Sequence, residues 1–138
     1  MKYFVLCIFL TFFGCEHGDN KLNSLYGEFI LSKFYYKNSC LSCNDFYYLY
    51  IDKNSNWLSI ENQTKKENIK GKFKLYYNEK KEIYFDIFDS NDKKMNGNYL
   101  IEIDTIVKSQ QRDELKITIQ SNEVYIETYK NIVKKIGN

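Results

Sequence analysis

Residues 69–77, Ile-Lys-Gly-Lys-Phe-Lys-Leu-Tyr-Tyr, alternate strictly: Ile69, Gly71, Phe73 and Leu75 fall on one face, Lys70, Lys72 and Lys74 on the other. Successive side chains of an extended chain point to opposite sides, so a period of two marks a strand with one wall buried and one wet. The theme runs through 25–32 (loosening over Phe34-Tyr35-Tyr36), 82–88, 99–104, 114–120 and 124–129, while 45–51 is a dense aromatic run and 56–61 a shorter one. Turn-forming residues separate these segments: Asp52-Lys53-Asn54-Ser55, Asn78-Glu79-Lys80-Lys81, Ser90-Asn91-Asp92, Asn96-Gly97-Asn98 and Ser121-Asn122. No segment carries a clear helical period. Residues 130–136 fit either a helical turn or a trailing strand.

Eight short strands at close intervals predict an all-β domain. Closing them into an up-and-down antiparallel barrel removes the sheet edges that invite aggregation. A two-sheet β-sandwich is the alternative arrangement of the same strands. An eight-stranded barrel has an interior just wide enough for packed side chains or one small ligand. At 138 residues there is room for one core only. The formal charge of +2 is too small for a dedicated nucleic-acid binder. The chain has no Pro and no Ala, while Phe, Tyr, Met, Ile, Asn and Lys fill more than half of it. Those six residue types have A/T-rich codons, so the excess of Tyr, Asn and Lys reflects coding bias before function.

Lys2 is followed by an apolar run from Phe4 to Phe13 and then by Gly14-Cys15. A positive residue, about ten apolar residues and a small residue at the cut site are the parts of an export signal. The run is shorter than the roughly 20 residues that a membrane-spanning helix requires. Gly14-Cys15 resembles the lipobox of bacterial lipoproteins. The resemblance implies cleavage before Cys15, lipidation of its sulfur and a lipid-anchored place in the cell envelope. The expected organisation is a signal peptide at 1–14, a lipidated cysteine and polar tether at 15–24, and a barrel at 25–138. Two or more acyl chains make a stable anchor.

Of the four cysteines, Cys7 leaves with the signal and Cys15 takes the lipid, so Cys40 and Cys43 remain. In an oxidising compartment such a close pair most simply forms a disulfide, here a local clip. A tetrahedral zinc site lacks ligands, because the only histidine, His17, lies in the tether. A thiol sensor or a soft Cu(I) site through the same pair is the alternative.

Gly27-Glu28-Phe29 resembles the Gly-x-Trp signature that opens lipocalin-like barrels, with Phe in place of Trp, and Gly71-Lys72-Phe73 repeats the element. With the strand count, the domain looks like the small lipocalin-like lipoproteins of Bacteroidetes-type bacteria. That resemblance implies an outer-membrane anchor and a module that binds a small apolar ligand or an envelope partner. A narrower stretch, Cys40-Leu41-Ser42-Cys43-Asn44-Asp45-Phe46 with Trp57 beyond the next turn, resembles the barrel of NlpE-type copper and envelope-stress lipoproteins. No Pro precedes Cys40, and the glycines expected around that pair and in the following turn are absent.

No metalloprotease, nucleophile-elbow or phosphate-loop string is present, and the predicted barrel contains no histidine. Nucleophile–histidine pairs are therefore excluded, and the domain reads as non-enzymatic, without cofactor or resident metal. Glu82, Asp86, Glu102, Asp104, Glu123 and Glu127 are expected on solvated outer faces. The aromatic residues that would line a ligand site are Phe29, Phe46, Tyr48, Tyr50, Trp57, Phe73 and Phe85.

Overall fold

A computed structural model describes residues 20–133. They form nine strands: β1 Gly27–Tyr36, β2 Ser39–Cys40, β3 Tyr47–Asp52, β4 Trp57–Asn62, β5 Glu67–Tyr77, β6 Ile83–Phe88, β7 Gly97–Val107, β8 Arg112–Gln120 and β9 Val124–Val133. One helical turn, α1 Asn20–Asn23, precedes them, and a 3-10 turn, Lys93–Met95, links β6 to β7. All eight expected strands are present. The two-residue β2 is additional, and β9 continues as the trailing strand to Val133.

Eight strands pair in chain order, each antiparallel to the next, and β9 returns to pair with β1. The sheet is thus a closed barrel, not a sandwich. β2 lies outside the ring, on β1 alone. Alternation sorts the side chains as the sequence predicts. Phe73 is buried and Gly71 lies on the same inner face, whereas Lys70 and Lys74 are exposed. Gly71 is needed for packing: a Cβ there would sit 3.3 Å from both Ile87 Cγ2 and Ser90 Cβ.

The looser alternation after Leu31 has a cause. β1 slips register against β9 between Leu31 and Lys33, so Ser32 is an extra residue in a β-bulge. The slip puts Phe34 on the same inner face as Phe29 and Leu31, where each is buried.

One end of the barrel is plugged by the segment that enters it. Leu25 is fully buried, and Leu22 packs against the core. The Lys130 ammonium donates to the carbonyls of Ser24 and Tyr26, both at 3.1 Å, and sits 5.2 Å from the Phe29 ring centre. Burial lowers its pKa. Leu22 and Ser24, which composition assigns to the tether, are therefore part of the packed end.

The opposite end is the mouth. Lys37 and Asn38, with φ of 46° and 66°, turn the chain from β1 into β2. The disulfide Cys40–Cys43, with Cα atoms 5.5 Å apart, then closes a short loop. β3 pairs with β1 only from Gly27 to Ile30, which leaves Phe34 without a strand partner on that side. The loop supplies one: the Phe34 amide donates to Ser42 Oγ at 2.9 Å. The Leu41 and Ser42 amides donate to the Phe34 carbonyl at 2.7 and 3.3 Å. An unpaired buried peptide group costs roughly 1–3 kcal/mol, and here both the amide and the carbonyl of Phe34 are bonded.

Candidate binding surfaces

Cys7, Cys15 and His17 lie outside the described residues. Cys40 and Cys43 form the disulfide at the mouth. The seven aromatic residues expected to line one site are not brought together. Phe29, Phe73 and Phe85 point inward, at most 4% exposed, and Phe73 and Phe85 pack with ring centres 4.9 Å apart. Phe46, Tyr50 and Trp57 are exposed, and Tyr48 is half-buried on the outer wall. The reason is parity: in β3, Tyr47, Leu49 and Ile51 take the inner face, so Tyr48 and Tyr50 must face out.

Three surfaces offer chemistry. The first is the mouth, a cleft of about 260 Å³ with Phe34, Leu41, Ile60 and Met95 at its base and Lys65, Glu67 and Lys94 at its rim. Its polar corner is ordered by Asn62, which donates to Asp45 at 3.1 Å and to the Tyr47 hydroxyl at 3.0 Å. The Asn62 bond and the Lys65 ammonium, 3.1 Å away, hold the Asp45 carboxyl below its ordinary pKa. Met95 is fixed from the other side. Its carbonyl accepts from the buried Tyr99 hydroxyl at 2.8 Å, and burial pushes Tyr99 up to about 12.

The second is a carboxylate on the seam between β9, β1 and β8. Of the six acidic residues expected to be solvated, Glu127 departs from expectation: it faces outward yet is 2% exposed. Tyr125 and Tyr129 donate to it at 2.8 and 3.1 Å, and the ammonium groups of Lys33 and Lys116 lie 3.2 and 3.3 Å away. The bulge residue Ser32 adds a contact at 3.4 Å. Burial alone would raise the pKa of Glu127, but the four hydroxyl and ammonium donors outweigh it and hold the carboxyl at about 2. Such a carboxylate stays ionised and fully bonded, which suits a structural rivet and not an acid–base catalyst.

The third is a dish on the outer wall of β1, β3, β4 and β5. Cross-strand register sets Glu28, Tyr50, Ser59 and Lys70 in one row. Ile30, Tyr48, Glu61 and Asn68 form the next row. Ser59 is small and buried between larger neighbours, so it forms the floor. A depression of about 460 Å³ lies over Glu28, Tyr48, Tyr50, Ser59, Glu61 and Gln63. A second, of about 490 Å³, shares Tyr50, Ser59 and Glu61 and reaches Trp57 and Lys70. Asn68 Nδ2 donates to Glu61 at 3.1 Å and fixes that carboxylate at the edge. Lys72 lies 5.6 Å from the Trp57 ring centre and pairs with Asp89 at 3.2 Å.

Tyr48, Tyr50 and Trp57 were legible as candidates, but Ser59, Glu28 and Glu61 were not. The signal that finds them is the β3–β4 register, which places a small residue opposite Tyr50. The chain matches no protein family, no curated protein and no solved structure.

Proposed function

We propose that this chain is a lipid-anchored cell-envelope protein, held in the membrane through an acylated Cys15, whose barrel is a non-enzymatic binding module for an envelope partner. The observation that carries the binding part is a division of labour among aromatic side chains. Phe29, Phe34, Phe73 and Phe85 fill the barrel axis, while Tyr48, Tyr50 and Trp57 are turned to the outside. Rings so buried speak against an acyl-sized ligand within the barrel, and the mouth cleft offers room for a short apolar group. Gly14-Cys15 supports the anchor. From Cys15 to Ser24 the chain spans at most about 30 Å, so the plugged end would face the lipid and the mouth would face away. An outer-membrane location follows from the resemblance to lipocalin-like lipoproteins.

The test is acylation and fractionation. The wild-type chain should incorporate radiolabelled palmitate and sediment with membranes. Cys15→Ser should lose the label and keep the uncleaved apolar run before position 15, with its fold intact by circular dichroism. No label in the wild type, or label in Cys15→Ser, would sink the anchor.

A second role, thiol sensing through Cys40 and Cys43, is favoured by one feature: the disulfide loop carries Leu41 into the mouth and completes the bonding of Phe34. Reduction should therefore lower stability by about 2 kcal/mol, the loop-closure scale for so short a ring, and should loosen the mouth. Thiol quantification with and without reductant, paired with amide exchange at Phe34, checks it. A pair that neither reduces under mild conditions nor binds Cu(I) removes the sensor.

A further inference from the structure

We infer that the outer dish over Ser59 is a carbohydrate site that takes a neutral pyranose oligosaccharide. This deepens, and rests on, the proposal that the barrel engages its partner from outside. The first ground is the state of the tyrosines. Tyr36, Tyr47, Tyr99, Tyr125 and Tyr129 spend their hydroxyls on bonds within the chain, and Tyr76 both bonds Asn98 and stacks on Tyr84. Tyr48 and Tyr50 do neither: among the described residues their hydroxyls make no hydrogen bond and their rings stack on no other aromatic ring, and Tyr48 lies beside Ile30 and Glu61.

The second ground is what surrounds them. Half-exposed aromatic rings stand beside the Glu28 and Glu61 carboxylates, the Gln63 amide and the Lys70 ammonium, over a floor lowered by Ser59. A pyranose presents apolar C–H faces bounded by hydroxyls, so it needs rings beside acceptors and donors at close spacing. Four strands about 4.8 Å apart make the row from Glu28 to Lys70 about 14 Å long, a length suited to a short oligosaccharide. Charge narrows the class: two carboxylates against one ammonium disfavour phosphorylated or uronic polymers.

The surroundings also argue against a protein on this dish. A stable protein interface buries about 800 Å² per partner around an apolar centre; here the floor is a serine, Leu58 and Ile60 point into the barrel, and the exposed Ile30 stands to one side, beside Tyr48.

Trp57 is the sole tryptophan and lines the dish, so its fluorescence reports binding there. The probes are the tetrasaccharides of N-acetylglucosamine and of β-1,4-linked glucose, added at millimolar concentration to the Cys15→Ser chain. A saturable change in Trp57 emission with at least one of them is expected. Tyr50→Ala should weaken that affinity about tenfold, Tyr50→Phe should retain most of it, and Tyr76→Ala, about 20 Å along β5 from Lys70, should leave it unchanged. No response to either sugar, or a response indifferent to Tyr50→Ala, would overturn the carbohydrate assignment. So would a protein cross-linked through position 50 in place of a glycan. In that last case membrane anchoring and binding from outside would both stand, so the failure of this inference is separable from failure of the broader proposal.

Discussion

Phe85→Ala is expected to lower the unfolding free energy by about 3–5 kcal/mol. Phe85 is 1% exposed and packs against Phe73, and its pairing neighbours Leu75 and Tyr99 lie on the two adjacent strands. Cutting the ring back removes its transfer energy and leaves a void, because strands tied into a closed ring cannot collapse onto it. The void would be apolar and dry, and such voids accept benzene-sized molecules. Chemical denaturation should show the loss, and benzene should raise the Tm of Phe85→Ala but not of the wild type. A small loss, or a wild-type barrel that itself takes benzene, would mean that the interior is not filled. If Phe85→Ala does not fold at working temperature, Phe85→Leu gives the same ordering with a smaller loss.

Glu127→Gln should cost about 2 kcal/mol near neutral pH and should flatten the acid limb of the stability curve. The folded-state pKa of Glu127 is about 2 against an ordinary value of 4.5. A depressed carboxylate stabilises the fold fully above the ordinary value, and that contribution is lost as pH falls from about 4.5 towards about 2. The shift alone would correspond to about 3 kcal/mol. Lys33 is half-exposed and solvent screens part of its attraction, which brings the figure down. Glutamine keeps the shape and accepts from one tyrosine, and both lysines can swing out to water, so no charge is stranded in the interior. Denaturant midpoints measured across that pH interval check the prediction. Coincident acid limbs for wild type and Glu127→Gln would refute it.

The barrel was legible in the sequence because its evidence is local. Each strand of a closed ring is wet outside and dry inside, so a strand can carry its own period of two, and residues 69–77 show it without help from a neighbour. The bulge at Ser32 was visible only as a blurred alternation, since its register is fixed by β9, almost a hundred residues away. Glu127 was placed on the correct face but given the wrong environment. Its cover comes from Tyr125 and Tyr129 on its own strand and from Lys33 and Lys116 on two others, and cross-strand neighbours cannot be read before pairing is known. The aromatic set failed as a set for a related reason. Its seven members were chosen by type, whereas parity sends Phe29, Phe73 and Phe85 inward and Tyr48, Tyr50 and Trp57 outward. The disulfide was legible from spacing and compartment. That its loop stands in for a missing strand beside Phe34 was not.

The central claim, that a filled barrel binds its partner on the outer wall, is tested most directly by mapping where a ligand lands. Amide and aromatic NMR signals of the Cys15→Ser chain should be followed during titration with the N-acetylglucosamine or glucose tetrasaccharide that shifts Trp57 emission. The perturbed residues should be Glu28, Tyr48, Tyr50, Trp57, Ser59 and Glu61. Perturbation centred instead on Phe29, Phe73 and Phe85 would place the ligand inside the barrel and contradict the account.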